Sequence, residues 1–295
     1  MTTAQATRRR HGTWRRILGS GLLLWVLAAF VTAITANPLL VPTLVMLGSF
    51  LVPVTFVAWA FERRRSDQVT TELLFRTFVV GGVLGVLAAS VAESYLLQPS
   101  PWMFFGVGLL EEAAKLGALA YCTRHLSVRS AQDGAILGAT VGLGFAAFES
   151  AGYALVASLT VHGLSLTDLV ETELLRGLLS PFGHGVWTAI LGAVLFSTAG
   201  RSGFRVTGRL VGAYLGVSIL HGLWDSMDSI AVTVTYLLTG QTWRYRLLDE
   251  GYLPEPTAIQ VQFFTILSWT GLLVIAVTGV VFLVLLLRRR AAEHG

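Results

Sequence analysis

The chain has one cysteine, Cys122, and one lysine, Lys115, in 295 residues, and only 13% of its side chains are charged. A single thiol excludes an intramolecular disulfide and any cysteine-rich metal site, so a metal here would have to be held by His, Asp or Glu. Soluble domains carry about 25% charged residues; this one instead has 54% apolar side chains and a mean hydropathy of +0.68. That composition belongs in a bilayer. The length accommodates several spans of roughly 20 residues each and leaves little for anything outside them, so one membrane-embedded domain over residues 1–295 is expected. The net charge of +4 comes from arginines clustered beside apolar runs, which is a topology signal rather than a nucleic-acid surface.

Eight apolar segments fall at about residues 17–36, 40–61, 73–97, 102–123, 133–160, 174–199, 210–238 and 263–287, giving an all-α helix bundle. If they alternate across the bilayer, 17 of the 20 arginines lie on one side and only Arg176, Arg244 and Arg246 on the other. The basic side stays inside, so both termini are expected in the cytoplasm. The first run exceeds the ~7–15 residues of a cleaved signal core and is read as a span. Glycines spaced by four, at Gly81 and Gly85, Gly138 and Gly142, and Gly208, Gly212 and Gly216, predict close helix approach. Pro42, Pro53 and Pro181 predict local bends or breaks. The stretch from Gly240 to Gln262, with Trp243 and Tyr245, reads as an interfacial loop or a lid.

A charge at mid-bilayer costs at least about 2.5–3.5 kcal/mol on insertion scales, so ionisable residues inside these runs need a reason. Glu93, Glu111, Glu112, Lys115, Glu149, His184, His221 and Asp225 all lie there. At about 1.5 Å per residue, ten residues into a helix is roughly 15 Å deep. Glu111, Glu112 and His184 reach that level from one side and His221 from the other; Glu149 lies further along a long fifth helix. Glu93, beside Tyr95, reads as interfacial, as do Asp228 and His162.

Spacing sharpens the reading. Lys115 follows Glu111 by four residues and Glu112 by three, the favourable order for a helical ion pair, which compensates one carboxylate and frees the other for a metal or a proton. His221 and Asp225 are four apart and share a face, which suits two ligands on one metal or one ligand and the acid that orients it. His184 stands between Gly183 and Gly185, where a neighbouring helix or a substrate backbone has room. Two imidazoles and a carboxylate form a catalytic zinc set with a position open for water, and a nearby glutamate can take that water's proton. No HExxH occurs, so separate helices must assemble such a site. Mid-membrane Glu, His and Lys also build proton relays, so the alternative class is a proton- or ion-coupled transporter, although no internal repeat is visible.

Glu-Glu-x-x-Lys at Glu111 to Lys115, Phe-Glu-x-x-x-Tyr at Phe148 to Tyr153, the lone His184 and His-x-x-Trp-Asp at His221 to Asp225, in that order on consecutive helices, resemble the PrsW family of bacterial intramembrane proteases. They are more distantly similar to the CAAX-prenyl-endopeptidase group, which has His where Glu149 stands and an Arg one residue beyond Lys115. The resemblance covers roughly residues 100–230, the expected catalytic core helices. It implies a multi-pass protease of the bacterial plasma membrane that clips membrane-protein substrates near their extracytoplasmic face, in some members an anti-sigma factor, with zinc as the implied metal. It makes Glu111 and Glu112 the catalytic pair beside Lys115, with Glu149, His184 and His221 as metal or water-positioning groups and Asp225 supporting His221. Whether Glu149 or Asp225 completes the zinc set stays open.

Overall fold

The structure, a computed structural model, describes residues 12–64, 66–126, 129–161, 163–200, 203–240 and 255–292. The chain runs through α1 (Thr13–Thr35), α2 (Val41–Glu62), α3 (Thr71–Leu96), α4 (Met103–Thr123), α5 (Ala131–Ser158), α6 (Leu166–Leu179), a π-helical turn (Pro181–Gly185), α7 (Val186–Ser197), α8 (Gly208–Asp225), α9 (Met227–Thr239) and α10 (Ala258–Ala292). A two-residue hairpin ladder, Leu159–Thr160 with Gly163–Leu164, joins α5 to α6. The protein is an all-α membrane bundle. Six stretches are long and apolar enough to cross a bilayer: Thr13–Thr35, Pro38–Glu62, Thr71–Leu96, Ala131–Ser158, Leu166–Ser197 and Ala258–Arg289. The other two expected segments are also helical, as α4 and as the α8–α9 pair. α4 carries Glu111, Glu112 and Lys115, and the last run divides at Ser226 into two shorter helices.

Helix starts follow local chemistry. Thr70, Ser130, Ser165 and Thr207 each accept a hydrogen bond from the backbone N–H three residues on, satisfying an amide that has no partner within the helix. Pro42 falls in the first turn of α2, where its missing N–H costs nothing, and α2 continues through Pro53. Pro181 does break its helix: the turn it opens has Gly183 at φ −90°, ψ −105°. The expected sixth span is therefore two helices around a discontinuity. Non-helical backbone at membrane depth is tolerated where protein buries it, and Gly183, His184 and Gly185 are buried.

α5 is the axle of the bundle, packed most extensively on α7 and α3 and also on α2 and α6. Its glycines explain how. A Cβ on Gly134 would collide with the Gly192 carbonyl of α7, one on Gly138 with that of Thr188, one on Gly142 with that of His184, and one on Gly144 with that of Phe78 on α3. Backbones thus touch directly, which is how membrane helices gain packing without a hydrophobic drive. Gly138→Val is accordingly expected to cost at least the 1–3 kcal/mol or so of an overpacked core, read as a lowered melting temperature in detergent. Gly81 and Gly85 likewise receive Val141 and Phe145. Gly208, Gly212 and Gly216 do not behave as expected: a Cβ on any of them meets nothing within 4 Å, because α8 turns its other face to α4. There Gly108 accommodates the Ser218 carbonyl, and Gly222 accommodates Phe105. Among the described residues, the glycine stripe of α8 is exposed and packs against no other helix. The loop expected around Trp243 and Tyr245 lies outside the described residues, as does His162.

Candidate active site

The tight α4–α8 and α5–α7 contacts bring the ionisable residues of four separate segments to one place. α4 supplies Glu111, Glu112 and Lys115, with side chains 8%, 0% and 0% exposed. α5 supplies Glu149, the π-helical turn His184, and α8 His221 and Asp225. Helical turns put Lys115 beneath both glutamates, and its Nζ donates to Glu111 Oε2 at 3.0 Å and Glu112 Oε1 at 2.8 Å. The same Nζ lies 2.8 Å from His184 Nδ1 and 4.1 Å from the centre of the Phe145 ring. The one lysine of the chain is thus ringed by the groups it must balance.

His221 uses both ring nitrogens. Nδ1 is 2.9 Å from Glu112 Oε1, while Nε2 is 3.5 Å from Glu111 Oε2 and 3.3 Å from Asp225 Oδ2. His184 does the same, with Nε2 3.2 Å from Glu149 Oε2 and Nδ1 4.0 Å from Glu111 Oε2. The two imidazoles meet edge to face at 5.1 Å, and Trp187 lies against His221 at 4.8 Å. His184 sits in the Pro181–Gly185 turn, beside the non-helical Gly183, and from there meets Lys115 and Glu111 of α4.

One atom each from Glu111, His184 and His221 lies within 4.8 Å of the others, close enough to share a metal ion. The donor chemistry fits a divalent cation such as zinc, which accepts two imidazoles and a carboxylate. Charge fits as well. Among the described residues, Glu93, Glu111, Glu112, Glu149 and Asp225 are set against Lys115 and Arg176, an excess of acidic groups in a low-dielectric pocket where uncompensated charge is costly.

A cavity of about 490 Å³ reaches the cluster. Glu111, Glu149, His184 and Asp225 line it, with Glu93, Tyr153, Arg176 and Trp224. Glu112, Lys115 and His221 do not; they sit behind this wall, and Glu112 Oε2 is buried with no hydrogen-bond partner.

Two of the lining residues carry roles that the sequence pattern did not suggest. Arg176, counted above only as a topology charge, donates to Glu149 Oε2 at 2.7 Å and Ser150 Oγ at 2.8 Å and covers the Tyr153 ring at 4.3 Å. Its signal was its place eight residues ahead of His184, two helical turns before the break. Glu93, expected at the interface, is half-buried on the cavity wall with one oxygen unpartnered; neighbouring Tyr95, at 81% exposure, is the interfacial residue of the pair. Asp228 instead accepts from Ser268 at 2.9 Å, tying α9 to α10 away from the site.

A membrane bundle whose buried Glu/His/His group opens on a cavity is the architecture of a hydrolase that works inside the bilayer. The model of the PrsW family intramembrane metalloproteases matches residues 69–244. Among curated relatives, the chain is similar to Protease PrsW of Halalkalibacterium halodurans, at 29% identity over 54% of this chain and 71% of that protein. It is similar also to Protease PrsW of Geobacillus kaustophilus, at 25% over 67% and 79%, and of Shouchella clausii, at 26% over 61% and 81%. No solved structure matches. The chain belongs to the PrsW family of intramembrane metalloproteases, and it is a peptidase.

Proposed function

We propose that the protein hydrolyses a peptide bond of a single-span membrane protein at the cavity described above, with Glu111, His184 and His221 holding a zinc ion. The observation that carries this reading is the convergence of those three side chains within 4.8 Å. The metal would supply a Lewis acid and lower the pKa of a bound water toward ~7. Around it, this chain's residues divide the work by position. Glu149 and Asp225 line the cavity beside the three donors and are placed to take the proton of an attacking water. Glu112, sealed from the cavity, holds the Nδ1 edge of His221, as Glu149 holds the Nε2 edge of His184; carboxylates in such positions fix ring orientation and tautomer. Arg176 holds Glu149, and Lys115 neutralises the Glu111–Glu112 pair.

This assignment differs from the sequence expectation, in which Glu149 or Asp225 completes the metal set with the two imidazoles and Glu111 or Glu112 is the general base. Burial argues for the change: a base must meet water, and Glu112 does not reach the cavity. The wider reading keeps eight spans, with α4 and the α8–α9 pair crossing beside the six apolar stretches, both termini in the cytoplasm, and the bacterial plasma membrane as location. Residues 100–230 form the catalytic core of the single domain. The resemblance to PrsW proteases supports an anti-sigma factor as the substrate.

The test is reconstitution of the full chain in liposomes with a labelled single-span substrate. Cleavage that stops on chelation and returns with zinc is expected. Proton-gradient-driven flux with no cleavage of any substrate would instead make the buried cluster a transport relay.

A further inference from the structure

Beside the Pro181 turn, α1, α2 and α6, with Val186 and Val280, border a second, open-sided space of about 710 Å³. Its walls include Leu18, Leu22, Leu51, Val52, Leu178 and Phe182. Its one carboxylate, Glu173, is largely withdrawn from the space: it is 4% exposed, one oxygen accepts from Trp25 Nε1 at 2.6 Å, and Gly48 covers it, where a Cβ would strike the carboxyl. The surface offered to an occupant is hydrocarbon.

The arginine-bearing end of this slot is different. Trp14 lines both the slot and an adjoining polar space of about 560 Å³, whose other walls are Gly12, Arg15, Glu62 and Arg63. Glu62 is already matched, because the backbone N–H groups of Gly12, Thr13 and Trp14 donate to it at 2.9, 2.7 and 3.4 Å; a carboxylate at a helix N-terminus is where the helix dipole favours it. Arg15 and Arg63 are exposed, and each stacks over a tryptophan, Trp14 at 5.3 Å and Trp59 at 4.6 Å. Among the described residues neither arginine makes an ion pair, so the positive charge of the mouth is unspent.

A basic, tryptophan-framed mouth continuous with an apolar slot is complementary to one kind of molecule. We infer that this slot binds an anionic glycerophospholipid, with its phosphate between Arg15 and Arg63 and an acyl chain along α6 against the Pro181 turn. The chemistry is that of basic pockets between spans, which select acidic headgroups, while tryptophan anchors the headgroup level. A soluble phosphate would satisfy the mouth alone; the slot requires the chain as well. α1 and α2, with Arg15 and Arg63, precede the region matched by the PrsW family model, whereas the α6 and Pro181 wall of the slot lies within it. The bound chain would press on the turn that carries His184.

Full-length protein in detergent, titrated with phosphatidylglycerol or phosphatidylcholine of equal chain length, tests this by native mass spectrometry and melting temperature. Phosphatidylglycerol is expected to be retained and to raise the melting temperature well above phosphatidylcholine. Replacing both arginines, R15Q/R63Q, should cut the preference roughly 30-fold, since each basic residue at an anionic surface contributes a several-fold factor. Gly177→Leu should weaken retention of both lipids by filling the slot; the nearest atom to a Cβ there is Val52 Cγ2 at 3.6 Å, an ordinary contact that lets the variant fold. Arg209→Gln, a basic change away from the slot, should alter nothing. Equal retention of the two lipids, an unchanged preference in R15Q/R63Q, stabilisation by inorganic phosphate alone, or displacement of the lipid by a single-span peptide would each overturn the assignment.

Discussion

Glu111→Gln and His221→Ala are expected to strip the bound metal and to lower cleavage by at least about 10²–10³-fold, the range for losing one preorganised electrostatic element of an active site. Glu112→Gln should be milder, about 10–100-fold, the usual effect of removing a group that orients a ligand. The order is the informative part. The two glutamates are adjacent in sequence and share Lys115, so a sequence motif treats them as a pair. In the fold they face different ways: Glu111 lines the cavity and joins the two imidazoles, whereas Glu112 is fully buried behind it against His221 Nδ1. Metal content by mass spectrometry and cleavage rate in liposomes should therefore fall together for Glu111→Gln, with the metal better retained in Glu112→Gln. Glu149→Gln offers a cross-check, because Glu149 Oε2 is held by Arg176 and His184 and its loss should reduce turnover more than metal. If Glu112→Gln lost its metal while Glu111→Gln kept it, the proposed ligand set would be wrong.

Much of this was legible from residue order. Apolar runs placed α1, α2, α3, α4 and α5 to within about four residues and α10 to within five at each end, because long runs of apolar side chains are what membrane-spanning helices require. The depth argument also selected the residues that converge, since a buried ion without partners is too costly to be scattered. The start of α6 was missed. Asp168, Glu171, Glu173 and Arg176 interrupt its hydropathy, so the apolar run begins only at Leu174, whereas the helix begins at Leu166. That error hid Glu173 inside the bilayer and removed Arg176 from the site. Lateral packing was likewise unreadable. Four-residue glycine spacing is identical in α5 and α8, but only in α5 does another backbone lie against it, and spacing does not say which face a helix turns to its neighbours. The direction of each carboxylate was beyond reach for the same reason.

Lys115→Met should cost about 3–5 kcal/mol, the penalty for breaking a buried ion pair by removing one partner, seen as a fall of order 10 °C in melting temperature. The lysine has no exposed surface and is the shared partner of Glu111, Glu112 and His184. Its removal leaves two adjacent carboxylates without the ammonium that donates to both, in surroundings that include the Phe145 ring and the Trp187 indole against His221. Water cannot rescue Glu112, which is fully buried and does not line the cavity. Neutralising the partners as well, in Lys115→Met with Glu111→Gln and Glu112→Gln, should regain more than half of the lost stability, since deleting both sides of a buried pair is often close to neutral. That triple variant would fold without cleaving. A Lys115→Met protein that melted like the wild type would mean that the ammonium is not what balances the glutamate pair, and the charge argument for a divalent cation at the same site would fall with it.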